Sequence, residues 1–166
     1  ALQYVTSFDY DAYTGRLLRI DGPLPGTNDS TLFTYDSFDR IRTVTDPDGY
    51  TITNSYDDLD RLTTVAFPDG TTETTTYKFL EPERFKDRAG GITDYVFNGI
   101  RQLKEIREAT NWVTRFDWCL CGDLKSVIDP LGQTTRWFHD VQGRVTAEQF
   151  ADGPRIEFGY EQSTSR

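Results

Sequence analysis

The sequence is poor in several residue types and patterns that other protein classes depend on. It has one histidine, two cysteines and no methionine among 166 residues. No run of about 18 apolar residues predicts a membrane-spanning helix, and no charged-then-apolar segment marks a secretion leader. We therefore expect no membrane insertion, and we expect the chain to be a mature product, a proteolytic core or an excised fragment.

Basic charge is also scarce. The chain has 18 Lys and Arg against 27 Asp and Glu, a net charge of −9. This balance argues against nucleic acids and anionic membranes as partners. His139 has no sequence context for a general base, and no Gly-rich phosphate loop or metalloprotease motif occurs. We expect no catalytic residue, no cofactor and no enzyme activity.

Turn signals, in contrast, return at a nearly constant interval. They are closed by Gly49, Gly70, Gly91, Asn111, Gly132 and Gly153, at steps of 20 or 21 residues. Three are spelled almost alike, as Asp-Pro-Asp-Gly, Phe-Pro-Asp-Gly and Asp-Pro-Leu-Gly. A fixed period of this kind predicts a repeat architecture, which more often forms a scaffold or a surface than an active site.

A second phrase stands about halfway through each period. Tyr35–Ile41 reads YDSFDRI, and Tyr56–Leu62 reads YDDLDRL. Asp is a favoured turn residue because its side chain caps the backbone of its own turn. Each repeat therefore contains two turns, one at each end of a pair of extended segments.

The segments between the turns are rich in β-branched and aromatic residues, which favour strands. Apolar pairs three residues apart, such as Ile41 with Val44, predict a strand entered through a bulge. We predict an all-β array of about seven antiparallel hairpins of about 21 residues, forming a curved, coiling β-ribbon. Residues 1–166 would be a single domain and a segment of a larger chain or assembly.

The Tyr-Asp phrase with its Arg-Leu ending, followed by Pro-Asp-Gly, resembles the YD repeat of the RHS family. That family includes polymorphic-toxin shells, shells of insecticidal toxin complexes, and teneurins. The resemblance runs from about Phe8 to Tyr160. It implies a β-ribbon that spirals into a hollow shell, often around a C-terminal toxin, and a secreted or cell-surface location. About seven units are too few to be expected to close a large shell, and no toxin domain is recognisable after them.

Family shells often end in a self-cleaving segment built around an Asp-Pro-x-Gly phrase. Asp129-Pro130-Leu131-Gly132 has this spelling. It lies one period before Gly153, however, and a strand-like run follows it. We therefore predict an ordinary turn between hairpins that does not cleave itself.

The two cysteines occupy one turn, and we align His139 with Cys119 of the preceding unit. Together with Cys121 and Asp140, they would supply a tetrahedral Zn²⁺ set. Cys121 takes the position of apolar residues such as Phe38, so we prefer two structural thiols, Cys121 buried, and no metal. A Cys119–Cys121 disulfide is a third interpretation, because a tight turn can permit this awkward spacing.

Acidic residues recur with the turns and have two interpretations. One is a ladder of Ca²⁺ ligands along one edge. The other, which we prefer, is turn capping combined with ion pairs to arginines at a fixed offset. The structural turn residues are then Asp36, Arg40, Gly49, Asp57, Arg61, Gly70, Gly132, Arg144 and Gly153.

The leading function is that of a non-enzymatic structural protein, part of an extracellular shell, stalk or head-to-tail fibre. The expected partners are further copies, flanking repeats or an enclosed toxin domain. The alternative is a glycan-binding surface module, because aromatic rings can stack on sugars. Recurrence at strand positions favours packing between strands instead. The aromatic residues concerned are Tyr50, Tyr95, Trp112, Trp118 and Trp137.

Overall fold

A computed structural model describes residues 5–26 and 28–161 of the chain. In these residues there are fifteen β-strands and no helix, which confirms the predicted all-β class. The strands are β1 (Ser7–Tyr10), β2 (Leu17–Asp21), β3 (Ser30–Tyr35), β4 (Ile41–Thr45), β5 (Thr51–Tyr56), β6 (Leu62–Ala66), β7 (Thr72–Lys78), β8 (Glu81–Lys86), β9 (Ile92–Phe97), β10 (Leu103–Glu108), β11 (Val113–Trp118), β12 (Leu124–Ile128), β13 (Thr134–His139), β14 (Val145–Gln149) and β15 (Arg155–Glu157). Nothing in the described residues is a helix that could cross a membrane.

The strands are antiparallel and follow one another in a single sheet in chain order, from β1 to β15. This order confirms the predicted array of consecutive hairpins. Contacts divide the chain into two compact units. The first holds the residues up to Thr76 together with Phe85–Gly90, and the second holds Tyr77–Arg84 together with the residues from Gly91 onward.

In each hairpin that lies within one unit and has defined residue pairs, the second strand begins with a β-bulge. In the first unit, Thr34 pairs with Thr43 but Tyr35 pairs with Ile41, which leaves Arg42 as an extra residue. The corresponding extra residues in the other hairpins are Leu18, Thr63, Lys104, Lys125 and Thr146.

The bulge explains the apolar spacing of three in the sequence. Side chains alternate between the two faces of a strand, and one extra residue shifts that alternation by one step. Ile41 lies opposite Tyr35, and Val44 lies opposite Phe33, so all four share one face. The prediction of a strand entered through a bulge is confirmed.

The turns that join successive hairpins close with a residue in the left-handed region. The φ angles are 82° at Gly49, 83° at Gly70, 82° at Gly132 and 103° at Gly153. The third turn closes at Gly90, with φ of 87°, so its assignment to Gly91 was wrong. The Gly90 N–H donates to Asp87 O at 3.1 Å, as Gly49 N–H does to Asp46 O. Two adjacent glycines made the periodic spacing ambiguous by one residue.

The described residues bury very little. Ala147 is their one buried apolar residue, Ser30 and Ser126 are buried polar residues, and no large side chain is fully buried. A repeat array of this type is stabilised mainly by contacts between each repeat and its neighbours. The contacts that join one hairpin to the next therefore decide whether the fold is stable.

We predict that Gly70→Ala lowers the free energy of unfolding by about 1 kcal/mol, because an L-residue is strained in the left-handed region. Nothing lies within 4 Å of a Cβ built at Gly70, so steric overlap does not contribute. Gly70→Asn should cost less, since Asn tolerates this conformation. Urea unfolding of the wild type, Gly70→Ala and Gly70→Asn measures the three free energies of unfolding.

Gly99→Ala is the matched control, because Gly99 has equally open space but lies outside the left-handed region. If Gly70→Ala and Gly99→Ala lost the same stability, backbone strain would not be the cause.

Candidate functional site

The Asp of each Tyr-Asp phrase organises its own turn. Asp36 Oδ1 accepts the backbone N–H of Phe38 at 2.8 Å and of Arg40 at 3.1 Å. Its Oδ2 accepts Arg40 Nε at 2.7 Å. The two side chains are only 15% and 18% exposed, so this pair is better shielded than an ordinary surface ion pair.

The same geometry recurs in both units. Asp57 accepts Leu59 N–H and Arg61 N–H and pairs with Arg61 Nε at 2.8 Å. In the second unit, Asp140 pairs with Arg144 Nε at 2.7 Å. The hydrogen bond from the arginine lowers the pKa of both carboxyls, partial burial opposes it, and the backbone N–H donors lower it further. These carboxylate oxygens already accept hydrogen bonds from the turn and the arginine. This favours turn capping over a ladder of Ca²⁺ ligands.

The arginine also reaches the next repeat. The Arg40 guanidinium lies over the Tyr56 ring, 4.8 Å from its centroid, and Nη1 donates to Asp57 O at 2.9 Å and to Asp60 Oδ1 at 2.8 Å. Tyr56 OH donates back to Ile41 O at 2.8 Å. We call the set of Arg40, Ile41, Tyr56, Asp57 and Asp60 the inter-repeat clamp.

Equivalent clamps occur elsewhere in each unit. In the first unit, Arg16 lies over Tyr35 and pairs with Asp39, and Tyr35 OH donates to Leu17 O at 2.9 Å. In the second unit, Arg144 lies 4.5 Å from the centroid of the Tyr160 ring. The clamp is therefore a repeated contact that joins each of these repeats to its successor.

A variant of the clamp replaces every charged member with a neutral one. Gln102 takes the place of the arginine and donates to Gly122 O at 3.2 Å, and Trp118 takes the place of the tyrosine. Trp118 Nε1 donates to Leu103 O at 2.8 Å, as the tyrosine hydroxyls do. The hydrogen bond back to the preceding strand is thus kept where the ion pair is lost.

Sequence reasoning missed Asp39 and Asp60. Both stand in the left-handed region, with φ of 68° and 60°, where Gly143 stands in a later turn. An Asp in this conformation costs more than Gly, yet it offers a carboxylate to the arginine of the preceding repeat. The sequence signal that could have identified them is an Asp at a turn position that holds Gly in another repeat.

The turns at the opposite ends of the strands have a simpler design. Asp46 Oδ1 accepts Asp48 N–H at 3.0 Å and Tyr50 N–H at 2.9 Å. Asp129 Oδ1 accepts Leu131 N–H at 2.9 Å and Gln133 N–H at 2.7 Å. The Asp129-Pro130 turn is therefore an ordinary inter-hairpin turn, as its place in the period predicts.

The cysteines form a disulfide, with their Cα atoms 5.2 Å apart. Cys121 is exposed and Cys119 is half-buried, so the interpretation of two thiols with Cys121 buried was wrong. The reason lies in the position itself. The apolar residue two after the turn Asp sits at the tip of the turn, and Phe38, which we aligned with Cys121, is 73% exposed.

The alignment of His139 with Cys119 was wrong by one residue. Cys119 N–H donates to Asp123 O, and Asp140 N–H donates to Arg144 O, so Cys119 and Asp140 are the equivalent positions. His139 ends β13 as Trp118 ends β11. Among the described residues, the acidic side chain grouped with the two sulfurs is Asp123, with the atoms within 4.8 Å of one another. The alternative Zn²⁺ set, which needs His139 and Asp140 beside the two sulfurs, does not assemble.

The aromatic residues divide between strands and turns. Tyr95, Trp118 and Trp137 are half-buried on strands, whereas Tyr50 and Trp112 are exposed in turns. Trp118 is engaged by its hydrogen bond to Leu103 O. A shared sugar-stacking platform therefore stays a prediction.

Two segments of the chain, residues 35–72 and 122–155, match the sequence model of the RHS repeat. The chain carries RHS repeats. The matched segments include the turns of Asp36, Asp57 and Asp140, so the inter-repeat clamp is built from RHS-repeat residues. No curated protein sequence matches the chain.

Solved structures share the fold of these RHS repeats. A crystal structure of TcdB2-TccC3-Cdc42 matches with a TM-score of 0.71 and 16% identity, over 87% of this chain and 9% of that one. The Tc holotoxin pore of Photorhabdus luminescens, with a mutated TccC3, matches with 0.69 and 16%, over 87% and 9%. A TcdB2-TccC3-TEV crystal structure matches with 0.68 and 18%, over 92% and 9%. The chain thus spans about a tenth of the length of each, and the likeness concerns the fold alone.

We predict that Tyr56→Phe lowers the free energy of unfolding by about 1 kcal/mol, because it removes the hydrogen bond to Ile41 O but keeps the ring under Arg40. Tyr13→Phe is the control, since the Tyr13 side chain is fully exposed. Urea unfolding of both variants measures the difference. Equal stability of the two variants would show that the clamp hydrogen bond contributes nothing.

A second prediction concerns acid stability. The pKa of Asp69 is lowered from 3.8 to about 2, first by the Thr71 hydroxyl and backbone N–H, against partial burial, and then by Arg88. A carboxyl with a depressed folded pKa stabilises the fold above pH 3.8, and this stabilisation is lost as the pH falls toward 2.

Thr71→Val removes the hydroxyl, so the pKa of Asp69 should rise toward 3.8. Thr34→Val is the control and should leave it unchanged, because the Thr34 hydroxyl is hydrogen-bonded to that of Thr43. Carbon-13 titration of the Asp69 carboxyl measures this. An unchanged titration in Thr71→Val would contradict the assignment.

Proposed function

We propose that this chain is a non-enzymatic segment of the wall of an RHS-type shell, which acts outside the cell. The observation that carries the proposal is the inter-repeat clamp. Arg40 and Arg144 each pair with the Asp of their own turn and lie over an aromatic ring of the following repeat, so an array made in this way can be extended repeat by repeat. The RHS-repeat match and the fold shared with toxin-complex chains support the same function.

Exposed apolar side chains at the turn tips support a wall that is covered in its assembly. In the first unit, Phe38 and Leu59 lie at successive tips and are 73% and 59% exposed. In the second unit, Ile100, Leu120 and Val141 lie at successive tips and are more exposed still. Exposed apolar side chains that follow one another along the ends of the strands are typical of a contact surface. In a spiralling wall, the adjacent coil of the ribbon would bury them.

The disulfide supports the location. Disulfides persist in secreted and cell-surface proteins and are rare in the reducing cytosol. A Cys119–Cys121 bond therefore fits the secreted or cell-surface location that the RHS resemblance implies.

The two outermost described strands support extension of the array. Within residues 5–26 and 28–161, β1 and β15 each pair on one side only, and all their residues are exposed. An unpaired edge is a template for another strand. Flanking repeats of a longer chain, or β1 of a second copy placed against β15, would complete it, and a toxin domain enclosed by the wall is the expected cargo.

We predict head-to-tail association of the chain, and Glu157→Pro should abolish it. Phe158 N–H donates to Thr146 O inside the sheet, so the N–H of Glu157, one residue earlier, points to the free edge. Proline removes that donor and leaves the inner hydrogen bonds in place. Light scattering and negative-stain images measure the size of the assembly.

Glu157→Ala is the matched control, because it removes the same side chain but keeps the N–H. Polymers in the wild type and in Glu157→Ala, but not in Glu157→Pro, support pairing of the two edges. A strictly monomeric wild type at high concentration would contradict head-to-tail association and leave flanking repeats as the partner of β15.

A further inference from the structure

In the Cys119 turn, Cys119 takes the place of the turn Asp, and the disulfide joins it to Cys121 at the position of Gln142. Cys119 Sγ accepts the N–H of Cys121 at 3.1 Å and of Asp123 at 3.3 Å. These are the donors, two and four residues on, that Asp140 Oδ1 receives from Gln142 and Arg144 in the next turn of the same kind. A sulfur thus caps this turn where an oxygen caps the others.

The disulfide is not needed to close the turn. Cys119 N–H donates to Asp123 O at 2.9 Å, and the Asp140 turn makes the same hydrogen bond at 2.9 Å without any disulfide. The bond also links residues only two apart, and a loop this short constrains the unfolded chain far less than a long one. A role as a structural staple therefore does not explain it.

The two sulfurs lie in different surroundings. Cys119 is half-buried, and the two backbone N–H donors would stabilise its thiolate. Cys121 is exposed, and its Sγ lies 3.5 Å from the Asp123 carboxylate, which repels a thiolate at that position. Cys121 is accordingly the accessible sulfur, and Cys119 is the better leaving group.

We propose that Cys119–Cys121 is a thiol–disulfide exchange site that reacts with small thiols, with Cys121 as the attacked sulfur. The thiolate of a small thiol attacks Cys121 Sγ, the S–S bond breaks, and Cys119 leaves as a thiolate held by the two N–H groups. A second thiol then attacks the mixed disulfide, Cys121 departs and takes up a proton, and the two small thiols are joined as a disulfide. Two electrons have passed to the protein.

The test is to trap the mixed disulfide on the native wild-type chain. The protein is treated with reduced glutathione near neutral pH, quenched with acid, alkylated, and mapped by peptide mass. We expect glutathione on Cys121 and the alkyl group on Cys119, and we expect oxidised glutathione to restore the internal disulfide. An adduct mainly on Cys119, or reduction only after denaturation, would overturn the proposal.

Asp123→Asn tests the cause of the asymmetry. It removes the charge beside Cys121 but keeps the Asp123 backbone donor, so reduction by glutathione should become severalfold faster. Asp117→Asn is the matched control, since Asp117 is exposed on β11 and pairs with Lys125 at 3.2 Å, outside the turn. An equal effect of both substitutions would overturn the assignment of Asp123.

A double substitution separates exchange from a structural role. Cys119→Asn with Cys121→Ile gives this turn the residues of Asn98 and Ile100. The neutral Asn98 Oδ1 caps its own turn by accepting the N–H of Ile100 at 3.1 Å and of Gln102 at 3.0 Å, so the double substitution adds no charge beside Asp123. We expect thermal stability equal to that of the wild type or higher. A fall in the unfolding temperature of more than about 5 °C, the effect of roughly 1 kcal/mol in a small domain, would show a structural staple and contradict the proposal.

Discussion

The array depends on an arginine that serves two repeats at once. Arg40 is held by Asp36 of its own turn and lies over Tyr56 of the next repeat. A guanidinium suits this task because it is planar and permanently charged, and it can stack on a ring while its N–H groups bind oxygens in its own plane. A lysine would keep the charge but lose the geometry. The Tyr, Asp and Arg of the repeated phrase thus recur together because they take part in one contact between repeats.

This contact matters because almost nothing else is available. No large side chain among the described residues is fully buried, so the hydrophobic term that stabilises most domains is spread thinly over half-buried side chains. Because the Asp36–Arg40 pair is shielded from solvent, it contributes more to the stability of the fold than an ordinary surface pair does. The bulge supports the same arrangement, since it brings Ile41 and Val44 to the face of Tyr35.

Much of this fold follows from the sequence, because the period, the strand composition and the apolar spacing of three all agree. The errors are local. Adjacent glycines left the turn at Gly90 ambiguous, and the alignment of His139 slipped because the neighbouring turn differs in composition. Burial of Cys121 was misjudged because an apolar residue at a turn tip gives the same pattern as one in a core. Asp60 was missed because its contact is with a residue of another repeat, and the spacing of residues within one repeat does not reveal such a contact.

The inter-repeat clamp also has a direction along the chain. The arginine always belongs to the earlier repeat and the aromatic ring to the later one, at separations of 15 to 20 residues for its hydrogen bonds. During synthesis, each repeat emerging from the ribosome brings the ring that completes a contact with the repeat already made. Folding can therefore proceed from the N-terminus without waiting for distant segments, as expected for a protein whose contacts are local in sequence.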